Sequence, residues 1–223
     1  MEIKILAMLT KNDVTIERAQ EVFEESKHAD IDSWGFKDTG IGTDRARKLV
    51  ASMKRENKHT YLEPLVTEES ECIKAAEFAI ECGFDAVIGV KFYESVANIL
   101  SRDGIKYYPT CGRRDGIPRM LYGTHEEIIQ DALRIVRHDG VNGICLSIYR
   151  YVDGDPQKMA EEFVKRVNAP LIVSGSLNTK ERLDFVKTLK PWGFTMGSAL
   201  FDDSLDGDTV QDKLEFLRKY MEI

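Results

Sequence analysis

Two Gly-Ser pairs near the C-terminal end of the sequence, Gly175-Ser176 and Gly197-Ser198, have residue types suited to binding an anion. Each pair follows a short apolar run typical of a strand, and a helix-forming stretch follows the first pair. A strand that ends in Gly-Ser leaves backbone N–H groups in a loop with little side-chain bulk. Near a helix N-terminus such groups bind phosphate or carboxylate. Because the pairs follow consecutive predicted strands, we interpret them as one anion site.

Three charged residues, Lys37, Glu63 and Lys91, lie at the ends of three other predicted strands. A carboxylate between two ammonium groups shares charge with both, and two cations at close range depress one another's pKa. A lysine can become a neutral nucleophile in this way. The pattern therefore predicts general acid–base catalysis, or a Schiff-base lysine with Glu63 as proton shuttle. The alternative is a salt-bridge network that only closes one end of the fold.

A long connection, residues 111–123, contains three arginines and has glycines near both ends. Loops of this length are often lids or binding loops. Arg113, Arg114 and Arg119 could clamp a carboxylate or a second phosphate through bidentate hydrogen bonds. The alternative is an oligomer contact through apolar residues of the same connection. Those residues are Ile117, Met120, Leu121 and Tyr122.

These candidate residues are carried by an alternation of strand and helix that repeats roughly eight times, in units of roughly 25 to 30 residues. Such an alternation predicts one (β/α)₈ barrel domain over residues 1–223, with active-site residues at the C-terminal ends of the strands. An open, doubly wound sheet is the rival, but no GxGxxG follows the first strand. The first six predicted strands are 3–9, 33–36, 60–65, 85–90, 105–109 and 143–148, and the last two precede the Gly-Ser pairs.

Several helix starts carry recognisable caps. Asn12, Asp13 and Thr15 are interpreted as caps of a first helix that runs to about residue 27. A capping box is predicted at Thr124 with Glu127, and Asp155-Pro156 predicts the start of a later helix.

The segments Val173-Ser174-Gly175-Ser176 and Met196–Phe201 resemble the ends of the last two strands in the phosphate-binding barrels. That group includes ribulose-phosphate-binding enzymes, sugar-phosphate epimerases and Schiff-base aldolases. The resemblance implies that Gly175, Ser176, Gly197 and Ser198 contact a phosphate. This chain departs from the group in two ways. After the seventh strand it has Ser-Gly-Ser where the group usually has Gly-Gly. Lys91 resembles the strand-four lysine of the transaldolase-like enzymes, but the first strand ends Met8-Leu9-Thr10 and lacks the aspartate that those enzymes have there.

The composition excludes several other classes of function. The net charge of −7 disfavours non-specific binding to nucleic acid or to an anionic membrane. The apolar runs are too short for membrane spans, and the N-terminal residues do not resemble a secretory signal, so we predict a cytoplasmic protein. Neither the four cysteines nor the four histidines predict a metal site, and no cofactor is predicted.

Together these patterns predict an enzyme that acts on a small phosphorylated, sugar-phosphate-like metabolite by aldolase (lyase) or isomerase chemistry. Association into a homo-oligomer is a further expectation. The alternative is a non-catalytic sensor of a phosphorylated metabolite, coupled to a partner through the arginine-rich connection.

Overall fold

Eight parallel strands alternate with eight α-helices in the computed structural model, which describes residues 2–116 and 118–222. The strands are β1 (Lys4–Met8), β2 (Ser33–Phe36), β3 (His59–Leu62), β4 (Ala86–Lys91), β5 (Lys106–Thr110), β6 (Ile144–Leu146), β7 (Leu171–Val173) and β8 (Gly193–Met196). The helices are α1 (Ala19–Ser26), α2 (Thr43–Arg55), α3 (Glu69–Cys82), α4 (Glu94–Arg102), α5 (His125–Ile135), α6 (Pro156–Arg166), α7 (Lys180–Leu189) and α8 (Val210–Met221).

The strands pair in the order β6-β7-β8-β1-β2-β3-β4-β5, which leaves β5 and β6 at the two ends of the ladder. Asn142, just before β6, joins those ends. Its backbone N–H donates to the carbonyl of Tyr107 at 2.8 Å, and its side-chain oxygen accepts from the Tyr107 N–H at 2.8 Å. The sheet therefore closes on itself. The predicted (β/α)₈ barrel is confirmed, and the open sheet is wrong.

Both faces of the strands are buried, which explains their nearly continuous apolar sequences. One set of side chains, such as Leu6, Ile88 and Ile172, fills the barrel interior. The other set, such as Val87 and Phe194, packs against the surrounding helices. None of the helices in the described residues is long and apolar enough to cross a bilayer.

The caps predicted for two later helices are confirmed. Thr124 and Glu127 form a reciprocal capping box at the start of α5, and the Asp155 side chain accepts from the backbone of the first turn of α6.

The caps predicted for the first helix are wrong. Thr10–Lys11 and Val14–Thr15 form a short antiparallel hairpin after β1, and α1 begins only at Ala19. Asn12 and Asp13 are the two turn residues, with φ of 52° and 63°. Asn and Asp adopt this left-handed conformation more readily than most residues, and it matches the twist of a two-residue hairpin.

A second short hairpin occupies the long connection after β5. Arg113–Asp115 pairs with Met120–Tyr122, and Ile117, which lies between them in the sequence, is outside the described residues. Leu121 is fully buried, and its carbonyl accepts from the backbone N–H of Val152 at 3.1 Å. The connection is therefore an anchored hairpin.

Asp85 lies just before β4, at the end of the barrel opposite the strand C-termini, and its side chain is hydrogen-bonded to β3. Its carboxylate accepts from the Thr60 backbone N–H at 2.9 Å and the Thr60 hydroxyl at 2.8 Å, and it pairs with Lys54 at 3.0 Å. Burial works to raise the pKa of Asp85, but the bonds from Lys54 and Thr60 outweigh it and lower the pKa.

Asp85→Asn is therefore expected to lower the free energy of unfolding at pH 7 by about 1–2 kcal/mol. Because the pKa is lowered by folding, the carboxylate stabilises the protein above its unfolded pKa of about 4, and this contribution is lost as the pH falls below that value. Urea denaturation of both proteins at pH 7 and at low pH measures the difference, with the exposed Asp103→Asn as control. A difference that does not shrink in acid would contradict the assignment.

Candidate functional site

Two adjoining cavities lie at the C-terminal ends of the strands, where barrel enzymes place their active sites. The first has a volume of about 180 Å³ and the second about 150 Å³. Lys37, Glu63 and Arg150 line both cavities and so mark the boundary between them.

The first cavity contains both Gly-Ser pairs. Gly175 and Ser176 follow β7 with φ of 75° and 59°, and Gly197 and Ser198 follow β8. All four residues line the cavity, so the structure brings together the residues that the sequence assigned to one anion site. Their backbone N–H groups donate to no acceptor in the described part of the chain. The loops therefore present free donors to the cavity, as an anion site requires.

The glycines of these loops allow close approach of neighbouring groups. A side chain at Gly197 would place its Cβ atom 2.9 Å from the Thr10 hydroxyl oxygen. At Gly175 the Cβ atom would lie 2.9 Å from Nε of Arg150. The Ser198 hydroxyl oxygen accepts from the backbone N–H of Asn12 at 3.1 Å, which ties the loop after β8 to the hairpin after β1.

A group of four charged side chains lines the same cavity beside these loops. The ammonium group of Lys37, which is 4% exposed, lies 2.9 Å from a Glu63 oxygen and 3.5 Å from an Asp13 oxygen. The same Asp13 oxygen lies 3.7 Å from the Arg150 guanidinium. Thr15 fixes the backbone of Lys37, accepting from its N–H at 3.0 Å and donating to its carbonyl at 2.7 Å. Two carboxylates and two cations thus form one group that lines the first cavity.

Sequence reasoning missed Asp13 because Asn-Asp was interpreted as a helix cap. The signal that could have found it is Thr10-Lys11-Asn12-Asp13-Val14-Thr15, in which two turn-forming residues separate two strand-like pairs. As a turn residue of the hairpin, Asp13 lies over the barrel mouth and supplies the acid that the end of β1 lacks. Arg150, just after β6, is likewise not among the site residues that the sequence predicts.

Lys91 lines the second cavity together with Glu63, but the described residues contain no ion pair between them. Gly89, with φ of 74°, forms a bulge in β4, so the pairing with β5 shifts between Ile88 and Lys91. Among the described residues, no carboxylate pairs with Lys91, and its ammonium group lies 5.2 Å from the centre of the Tyr93 ring. The expected carboxylate between two lysines is therefore not formed: Lys37 has two carboxylates as neighbours, and Lys91 has none.

Gly89→Ala tests the contact between this bulge and Glu63. A Cβ atom at Gly89 would lie 3.2 Å from both Cγ and Oε1 of Glu63, in addition to the cost of a positive φ. We expect the free energy of unfolding, measured in urea, to fall by about 1–2 kcal/mol and Glu63 to be displaced. Gly104→Ala is the matched control, since Gly104 has φ of 70° but nothing within 4 Å of its Cβ position. Gly89→Ala is therefore expected to lose more stability than Gly104→Ala, and equal losses would contradict the contact with Glu63.

The three arginines of the long connection all line the second cavity. Arg114 donates to the carbonyl of Gly89 at 2.9 Å, and the Arg113 guanidinium lies 4.4 Å from the centre of the Tyr122 ring. Leu121 is buried within the chain and is not available for the alternative oligomer contact, whereas Ile117 lies outside the described residues. The hairpin thus contributes cations to the mouth of the barrel.

Thiol chemistry has little support at this site. Cys111 and Cys145 are both buried near the cavities. Burial raises the pKa of Cys145 to about 12, and it raises the pKa of Cys111 as well. Both groups are therefore held in the thiol form, which is a weak nucleophile.

Comparison with known proteins identifies the fold. No protein-family model matches the sequence, and no curated protein matches it. Solved structures do match over nearly the whole chain. N-(5'-phosphoribosyl)anthranilate isomerase from Pyrococcus furiosus is 15% identical over 98% of each chain, with a TM-score of 0.65. A 4-hydroxy-2-oxoglutarate/2-dehydro-3-deoxyphosphogluconate aldolase is 15% identical, covers 99% of this chain and 96% of its own, and has a TM-score of 0.67.

The chain is a (β/α)₈ barrel. A third structure agrees: N-acetylmannosamine-6-phosphate 2-epimerase from Clostridium perfringens is 14% identical, over 88% of this chain and 86% of its own, with a TM-score of 0.61. The (β/α)₈ fold that the resemblance implies is thereby confirmed. At these identities the site residues of this chain have to be judged on their own geometry.

Proposed function

We propose that this protein is an enzyme that acts on a small phosphorylated, sugar-phosphate-like metabolite by general acid–base catalysis. One observation carries the proposal: the two Gly-Ser pairs and the Lys37–Glu63 ion pair line the same cavity. Proton transfer on a phosphorylated substrate needs donors that hold the phosphate and an acid and a base within reach of the reacting carbon. The isomerase, aldolase and epimerase with this fold have names that contain phosphorylated compounds, which supports the substrate class.

The proposed roles follow from position. Gly175, Ser176, Gly197 and Ser198 hold the phosphate through backbone N–H groups and hydroxyls. Glu63 removes a proton from the carbon next to a carbonyl, and Lys37 stabilises the negative charge that develops on the carbonyl oxygen or returns a proton to it. Asp13 and Arg150 hold Lys37 and the mouth in place through their ion pairs.

The arrangement favours acid–base chemistry over a Schiff base at Lys37. The activation of a lysine by a second cation, which the sequence suggested, has no counterpart there, because the groups paired with Lys37 are the carboxylates of Glu63 and Asp13. Lys91 has no paired carboxylate, so it is the residue to examine for a covalent intermediate. Isomerases and aldolases share the proton removal that the proposal assigns to Glu63.

Solvent deuterium exchange tests the proposal without knowledge of the substrate. A panel of aldose and ketose phosphates is incubated with the protein in D₂O, and exchange at the carbon next to the carbonyl is followed by NMR. We expect exchange in at least one compound, and borohydride treatment of the same mixtures should leave Lys37 and Lys91 unmodified. If phosphates bind but none exchanges, the protein is a sensor and the catalytic proposal is wrong.

The partner in this proposal is the small ligand, with no role for nucleic acid or membrane. A cytoplasmic location and self-association remain predictions, and the exposed face of the arginine hairpin is where a second copy would be sought.

A further inference from the structure

The second cavity carries far more positive than negative charge. Six cationic side chains line it against one carboxylate, Glu63, which already pairs with Lys37 at 2.9 Å. The cations are Lys37, Lys91, Arg113, Arg114, Arg119 and Arg150. The chain as a whole has a net charge of −7, so the excess of positive charge is confined to this cavity and is not a property of the whole chain. Positive charges brought together in a concave site attract an anionic ligand.

Most of these cations have no counter-ion within the chain. Across residues 2–116 and 118–222, Lys91, Arg113, Arg114 and Arg119 form no ion pair with a carboxylate. Arg150 reaches Asp13 only at 3.7 Å. The positive charge of the cavity is therefore available to a ligand.

Arg114 is partly buried and is held by a hydrogen bond to the backbone. One terminal nitrogen donates to the carbonyl of Gly89 at 2.9 Å, while its buried Nε donates to no acceptor among the described residues. Burial lowers the pKa of Arg114, and the positive charges of Arg150 and Arg119 also act to lower it. Buried donors in proteins almost always have a partner. The oxygens of an anion would supply it.

We infer that the second cavity binds a second anionic group of the substrate, so that the substrate is a phosphorylated compound with an anion at each end. The second group is a carboxylate or a second phosphate, because guanidinium groups bind both through paired, charge-assisted hydrogen bonds. Since Lys37 and Glu63 line both cavities, the carbon atoms that link the two anions lie beside the proposed acid and base. This inference rests on the proposed function for the position of the first phosphate.

Three acyclic six-carbon probes separate the contributions of the two ends. Glucitol 6-phosphate carries one phosphate, 6-phosphogluconate adds a carboxylate at the other end, and glucitol 1,6-bisphosphate adds a second phosphate. Calorimetric titration is expected to show that at least one of the compounds with two anions binds about 10- to 100-fold more tightly than glucitol 6-phosphate. Tighter binding of 6-phosphogluconate indicates that the natural ligand is a phosphorylated sugar acid, and tighter binding of glucitol 1,6-bisphosphate indicates a bisphosphate.

Arg114→Met is expected to remove that advantage while leaving the affinity for glucitol 6-phosphate within about twofold. The exposed Arg113→Met, which removes no buried contact, should reduce the advantage in part, and Arg102→Met on the exposed end of α4 should leave it unchanged. Equal affinities for all three probes, or an equal loss for all three in Arg114→Met, would overturn the inference but leave the phosphate site intact. Absence of binding by all three would overturn the phosphate site as well. A failure of deuterium exchange alone would overturn only the catalytic proposal.

Discussion

Glu63→Gln is expected to reduce exchange and turnover by about 10²- to 10⁴-fold, the contribution of a positioned general base. Glutamine has nearly the same shape and can still accept a hydrogen bond from Lys37, which lies 2.9 Å from the present carboxylate. What it loses is the ability to take a proton. Because Glu63 pairs with Lys37 and the phosphate contacts are assigned to the Gly-Ser loops, the affinity for a phosphorylated ligand should change little.

Comparing single-turnover rates with calorimetric affinities separates these effects. Glu68→Gln, on an exposed residue at the start of α3, is the control for the change of charge. Lys37→Met would be harder to interpret, since it would leave the carboxylates of Glu63 and Asp13 without their shared cation. Unchanged turnover in Glu63→Gln would exclude Glu63 as the base and would leave the first cavity as a binding site only.

The meeting of the two Gly-Ser loops could be predicted from the sequence because parallel strands impose it. Once residues 171–201 are recognised as two consecutive strands ending in Gly-Ser, their loops must meet at one edge of the sheet, and the structure places Gly175 and Gly197 in one cavity. The same logic brought Lys37 to Glu63, since β2 and β3 are neighbours in the barrel.

The rest of the site depends on local geometry that the sequence does not determine. The position of Lys91 depends on a bulge at Gly89, and one extra residue in a strand exchanges inward and outward side chains beyond it. Asp13 reaches the site only because Asn-Asp forms a hairpin turn instead of a helix cap, and both structures suit that dipeptide. Arg150 is the last residue of a short 3₁₀ turn after β6, and it fits only because Gly175 has no side chain.

Ser198→Asp is expected to weaken the binding of glucitol 6-phosphate by about 10²- to 10³-fold. A carboxylate about 4 Å from a phosphate raises the free energy by about 4 kcal/mol at an effective dielectric constant of about 20, and the open mouth reduces this somewhat. The fold should survive, because a carboxylate oxygen can accept from the Asn12 N–H as the Ser198 hydroxyl oxygen does at 3.1 Å. The effect is therefore one of charge at the ligand.

Two further variants show whether the repulsion is local. Ser198→Ala removes only a hydroxyl and should cost about 3- to 10-fold in affinity, the value of one hydrogen bond. Ser101→Asp adds the same charge on exposed α4 and should leave the affinity unchanged. Raising the salt concentration should narrow the gap between Ser198→Asp and the parent protein only slightly, because charges in a cavity are screened less than exposed ones. If Ser198→Asp binds glucitol 6-phosphate as tightly as the parent protein does, the phosphate does not bind at Ser198. The substrate would then be oriented the other way relative to Lys37 and Glu63, with its phosphate among the arginines of the second cavity.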